Sequence, residues 1–127
     1  MKKLRFSVAG QGLVICRLEA DAIVPAWAAR GIFFSVTRTQ EELSIVCGEE
    51  RVPPEVKRSG RCALLKLHGP FPLNETGVAS AFVSPLAEAG VPVFLVATYD
   101  TDYVLVPEES LEKGLEALKQ AGHEIVG

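Results

Sequence analysis

The chain of 127 residues has the length of one ordinary domain, or of two small modules sharing a core, and can bury roughly two-thirds of its unfolded surface. Apolar residues make up 48% and charged residues 23%, a globular composition that excludes disorder and low complexity. The formal net charge of −3 opposes a phosphate-tracking surface, so no nucleic-acid partner is expected.

The opening MKKLRFSVAGQGLVIC sets two lysines before apolar residues, as a secretory signal does, but Arg5, Gln11 and two glycines interrupt the run. Ile15 stands where a lipidated Cys16 would need a small residue. No stretch approaches the roughly 18 consecutive apolar residues of a membrane span. A cytoplasmic protein without a membrane partner is therefore expected. Gly10-Gln11-Gly12 falls far short of a phosphate-binding signature and reads as a turn.

LVICRL (13–18) reads as a strand, followed by a short segment around Pro25, Ala26 and Trp27. The lone tryptophan is expected to plug the core there rather than stack on a ligand. FFSVT (33–37) and ELSIVCGEE (42–50) read as two strands joined by a turn, and ERVPPEVKRSG follows with two prolines. CALLKL (62–67) is a further strand. From Thr76 to Ala89, Val78, Phe82, Leu86 and Ala89 line one helical face, with a kink or local break expected at Pro85 and a stop at Gly90.

VPVFLVAT (91–98) is an apolar run suited to a buried strand, and a short turn joins it to DYVLV (102–106). Glu108 and Glu109 favour the first turn of a second helix, whose stripe is Leu111, Leu115, Leu118 and Ala121. Gly122 ends it, and HEIV (123–126) returns as a last strand. The order β-α-β-β-α-β over the second half is ferredoxin-like, and the fold class is α+β.

The first half repeats this order in reduced form. FFSVT aligns with FLVAT (94–98), and ELSIVCGEE with DYVLVPEE (102–109), with a turn one residue longer in the first copy. Thr37 then corresponds to Thr98 and Glu42 to Asp102. The chain reads as two fused units, residues 1–59 trimmed and residues 60–127 complete.

Cys16, Cys47 and Cys62 are odd in number and lack Cys-x-x-Cys spacing, so buried free thiols are expected rather than disulfides or zinc. His68 and His123 have no acidic or cysteine cluster in register, so neither a metal nor another cofactor is expected. No nucleophile–base pair accompanies Glu75 or Asp102, and no catalytic residue is assigned. The loop HGPFPLNETG (68–77) leads into a helix N-terminus, where Asn74 or Thr76 can act as the cap and Gly77 allows close approach to the backbone. Glu75 and Asp102 as cation receivers, with Tyr99 as an apolar wall, give the chemistry of a zwitterion pocket. Asp100 reads as a solvated turn residue.

The segments FFSVTRTQEELSIVC, KLHGPFPLNETGVASAFVSPLAEAGVPVF and ATYDTDYVLVPEESLEKGLEAL resemble the tandem ACT-domain proteins of bacteria. They are similar to ACT units of the CASTOR arginine sensors of animals. The resemblance spans nearly the whole chain. It implies two fused ferredoxin-like ACT units, the N-terminal one reduced, and a regulatory or sensory module that binds an amino acid without catalysis. In those sensors the ligand contacts come from the acidic residue before the helix glycine and from a Thr-aromatic-x-x-Asp turn. The residues so implied are Glu75, Thr98, Tyr99 and Asp102; Thr76 and Gly77 at the helix end complete the expected ligand-binding set, and the acidic pair favours a basic or neutral amino acid on charge grounds. The animal proteins carry four units and this chain two, which implies a homodimer. The competing expectation is a ligand-independent interaction module that regulates a partner by dimerisation.

Overall fold

A computed structural model describes residues 2–127. Eight strands are present: β1 (Arg5–Leu18), β2 (Ser35–Arg38), β3 (Leu43–Gly48), β4 (Lys57–Arg58), β5 (Cys62–Leu67), β6 (Phe94–Ala97), β7 (Asp102–Pro107) and β8 (Glu124–Ile125). Two α-helices accompany them, α1 (Val78–Glu88) and α2 (Leu111–Gln120). The chain divides into two compact units, one built from the residues up to Gly10 with Ala63–Gly127 and the other from Gln11–Cys62.

The first unit has the β-α-β-β-α-β order expected from the hydrophobic periodicity, with β5 and β7 adjacent and β6 outermost beyond β7. The N-terminal part of β1 is also a member of this sheet. It lies next to β5 and pairs in parallel with β8 through Arg5↔Glu124 and Phe6↔Ile125. The ferredoxin-like order therefore has one strand inserted between its first and last strands. Phe6, Leu65, Leu67, Phe82, Leu86, Val104, Val106 and Leu118 form the core beneath α1 and α2. Residues of β7 alternate, so Val104 and Val106 face this core while Tyr103 and Leu105 face away from it.

Two expectations for this unit change. Of the kink or local break expected at Pro85, the break is absent, and α1 runs through it from Val78 to Glu88. Proline supplies no N–H to the carbonyl four residues earlier, that of Ala81. His123 supplies it instead, its Nε2 lying 2.8 Å from the Ala81 oxygen. The helix also starts later than the periodicity predicts. Gly77, at φ 84°, is the N-cap, and no side chain caps the helix, so neither Asn74 nor Thr76 does so. A left-handed conformation at this position favours glycine over any side chain that could cap.

The second unit contains β2, β3, β4 and the C-terminal part of β1. β3 pairs antiparallel with both β1 and β2, and β4 pairs with β1 through Cys16↔Arg58 and Arg17↔Lys57. Val14, Cys16, Leu43, Ile45 and Cys47 make its core, against which Trp27 packs as expected. A short 3-10 turn at Ala26–Ala29 takes the place in sequence of a long helix. Gly10-Gln11-Gly12, expected as a turn, lies inside β1. Gly12 at φ 73° lets the strand continue through a backbone state that side chains disfavour. All three cysteines are free and buried. Burial raises the Cys16 thiol and pushes that of Cys47 up to about 11, so both behave as apolar side chains.

The two hairpin turns are equal in length. In the second unit Arg38↔Leu43 is the last pair, and Thr39 N–H donates to Glu42 O at 2.9 Å while Thr39 Oγ1 accepts from Glu42 N at 3.1 Å. In the first unit Ala97↔Asp102 is the last pair, and Thr98 N–H donates to Thr101 O at 2.8 Å while Thr98 Oγ1 accepts from Thr101 N at 3.3 Å. Thr39, not Thr37, is therefore the counterpart of Thr98. The buried Leu43, not Glu42, is the counterpart of Asp102. The threonine hydroxyl fixes the turn, and counting along the sequence missed it.

Candidate functional site

The loop from β5 to α1 and the β6–β7 turn are fastened together at one rim of the first unit. Thr101, buried, donates its hydroxyl to Leu67 O at 2.8 Å, and Phe71 N–H donates to Asp100 O at 2.8 Å. A β-carbon at Gly69 would lie 2.8 Å from that same Asp100 oxygen, so the close approach requires glycine. This pair of bonds brings the two segments predicted to carry ligand contacts to a common rim.

Within the loop, Glu75 is not free. Its Oε2 is 3.0 Å from Lys2 Nζ, and Lys2 Cε lies 3.6 Å from where a β-carbon on Gly77 would sit. Lys2 thus lies across the segment that opens α1. Thr76 and Gly77 are exposed. Tyr99, at the tip of the turn, is 78% exposed. Thr98 is engaged in holding its own turn, its hydroxyl donating to Thr101 O at 2.9 Å.

Asp102 opens β7 and shares the parity of Val104 and Val106, which places it on the helix-covered side of the sheet. It is partly buried, and burial raises its carboxyl above the ordinary carboxylate value. Among the described residues, Asp102 has neither an ion-pair nor a side-chain hydrogen-bond partner.

The opposite side of the sheet carries a pocket of about 340 Å³ lined by Lys66, His68, Thr98, Asp100, Thr101 and Tyr103, with Gly69 and Pro70. Of the predicted site residues only Thr98 borders it, and Asp100, read as a solvated turn residue, is in its lining. Lys66 and His68 were missed because CALLKL reads as a plain strand. The available signal was parity: Lys66 and His68 alternate with the buried Leu65 and Leu67. A larger depression of about 450 Å³ lies against α1 and α2, where Ala81, Ser84, Ala117 and Gln120 leave room. It holds a single carboxylate, Glu88, and none of the predicted residues. Among the described residues no cluster of His, Cys, Asp and Glu fits a metal ion. No helix there is long and apolar enough to cross a membrane.

Comparison with known proteins adds the following. The family described as ACT domain matches residues 57–120, and a second family, described as an N-terminal domain, matches residues 13–55. The human protein named cytosolic arginine sensor for mTORC1 subunit 1 is 33% identical over 99 residues, covering 69% of this chain and 30% of that protein. The mouse protein of the same name is 32% identical over 98 residues with the same coverage. The chain thus spans about 30% of the length of these curated relatives. A crystal structure of a protein from Agrobacterium tumefaciens superposes with a TM-score of 0.92 at 39% identity, covering 99% of this chain and 94% of that one. The regulatory subunit of aspartate kinase from Thermus flavus gives a TM-score of 0.60 at 15% identity, covering 90% of this chain and 97% of that one, a likeness of fold.

Proposed function

Because the chain belongs to the ACT-domain family, we propose that it is a regulatory module that binds an amino acid and has no catalytic activity of its own. The ligand site is the helix-covered rim bounded by Glu75, Thr76, Gly77, Thr98, Tyr99 and Asp102. The observation that carries this reading is Asp102, a desolvated carboxylate with no internal cation. A ligand ammonium or guanidinium would supply that cation, Tyr99 would cover the ligand's aliphatic part, and Glu75 would exchange Lys2 for the ligand. The arginine sensors named among the relatives support a basic ligand. Titration calorimetry with each of the twenty amino acids tests the assignment. Binding that is lost in Asp102→Asn and weakened in Glu75→Gln supports it; binding unchanged in both variants overturns it.

In this reading residues 1–59 are a reduced ACT unit and residues 60–127 a complete one. The equal hairpin turns support the duplication, as do the Glu-Glu 3-10 turns after both β3 and β7, at Glu49–Arg51 and Glu108–Ser110. The repeat boundary need not follow the packing boundary, since β1 serves both units. A site closed by a second chain, in a cytoplasmic homodimer, would cover Tyr99.

A second reading, a ligand-independent interaction module, draws on exposed apolar residues of the second unit, with Ile23 at 89%, Ile32 at 95%, and Phe34 and Val36 also exposed. It predicts dimerisation that no amino acid alters, measured by sedimentation velocity.

A further inference from the structure

The pocket on the side of the first unit's sheet away from α1 and α2 has a largely polar lining. Its volume of about 340 Å³ lies at the small end of the range of about 300–1,000 Å³ typical of ligand sites. One wall is β5, where Lys66 and His68 share a face. The other is Tyr103 on neighbouring β7, with the turn that carries Thr98 and Asp100 closing the end. The bonds Thr101 Oγ1–Leu67 O and Phe71 N–Asp100 O tie the walls to each other, so the pocket is already formed without a ligand.

Its charges are unspent. Lys66 sits half-buried on a strand flanked on both sides by other strands, and among the described residues it has no ion pair or side-chain hydrogen bond. Asp100 uses its backbone oxygen to hold the loop, while its exposed carboxylate likewise has no ion pair among the described residues. His68 is oriented by Ser7, whose Oγ lies 2.9 Å from Nε2. A half-buried lysine without a carboxylate calls for an anion, and an opposite carboxylate at the mouth calls for a cation on the same molecule. Phosphate or a dicarboxylate would satisfy Lys66 and be repelled by Asp100.

We infer that this pocket is a second ligand site, for a small zwitterion whose carboxylate meets Lys66 and whose ammonium meets Asp100, with the Tyr103 side chain as a wall. It shares Thr98 with the Asp102 rim, but its charged residues are different ones, because Lys66 and Tyr103 lie on the opposite face of the sheet from Asp102. It does not depend on the reading of that rim.

The test is a set of amide-resolved NMR titrations of the full chain with each of the twenty amino acids, and with propionate as a carboxylate lacking the ammonium. The expected result is an amino acid whose shifts cluster at Lys66, His68, Thr98–Thr101 and Tyr103, with propionate binding more weakly. Affinity should fall about tenfold in Lys66→Met and in Asp100→Asn, the loss of one charge-assisted hydrogen bond, and be unchanged in Asp102→Asn. Asp100 is exposed, so its variant tests the site even if Lys66→Met disturbs the strand. Shifts at residues 75–77, 98, 99 and 102 but not at Lys66, His68 or Tyr103, abolished by Asp102→Asn, would overturn the second site while leaving the first. No shift near Lys66 with any amino acid would overturn it as well.

Discussion

His123 donates its Nε2–H to the carbonyl of Ala81, 2.8 Å away, and this is the acceptor that Pro85 leaves without a backbone donor. The other ring nitrogen, Nδ1, accepts from Leu4 N–H at 3.0 Å, which fixes the tautomer. The ring is 5% exposed and lies against Phe82, with ring centroids 5.7 Å apart. One buried side chain therefore satisfies α1 and the inserted β1 strand together, and links both to the strand that ends the chain.

Replacing His123 by Leu leaves a buried carbonyl and a buried N–H unmatched. The expected cost is about 2–6 kcal/mol, at about 1–3 kcal/mol for each group, measured by urea unfolding. Pro85→Ala returns a donor to Ala81 O. It should therefore be more favourable in the His123→Leu background than in the parent by about 1 kcal/mol. Equal effects in the two backgrounds would contradict the link.

Much of this fold is legible in the sequence, because its second half alternates apolar runs of strand length with helical stripes. A repeated hairpin is visible as well, but not its register: setting FFSVT against FLVAT pairs Thr37 with Thr98, whereas Thr39 is the counterpart in the structure. The insertion of β1 between β5 and β8 is not legible. Pairing between Phe6 and Ile125 joins residues at opposite ends of the chain, and no local pattern encodes it. The proposed site was half legible: Asp102 stood out as a charge next to an apolar run, whereas the pairing of Glu75 with Lys2 depends on the same distant insertion.

The pH dependence of stability carries the signature of Asp102. Burial raises its folded-state carboxyl above the unfolded value, so between those two values the folded chain holds a proton there that the unfolded chain has released. Its contribution is favourable below the unfolded pKa and is lost as pH rises through the raised one. Asp102→Asn should thus be at least as stable as the parent at pH 7, with the difference shrinking towards pH 3 in urea unfolding. A variant less stable at pH 7 than at pH 3, relative to the parent, would indicate an internal cation partner.

In the proposed site Lys2, paired with Glu75, would compete with a cationic ligand for it. Removing it by Lys2→Ala should raise affinity for a cationic amino acid by no more than about fivefold, the scale of an exposed ion pair of about 0.2–1 kcal/mol. Calorimetry of the variant checks this, and a fall in affinity would make Lys2 part of the site instead.

The three thiols should resist modification. Cys16, Cys47 and Cys62 are buried, and the Cys47 thiol is pushed up to about 11. Ellman's reagent at pH 8 is expected to find no rapidly reacting thiol in the native chain and three after unfolding in guanidinium. Rapid native reaction would show that the second unit opens readily.

The central claim, that the Asp102 rim takes an amino acid, is tested most directly by thermal unfolding of the parent and Asp102→Asn against the twenty amino acids at millimolar concentration. A ligand present at a hundred times its dissociation constant adds about 2.7 kcal/mol, a shift of several degrees in a domain of this size. A selective rise in the parent that is absent in Asp102→Asn is the predicted result. No rise with any amino acid, or the same rise in both proteins, would contradict it.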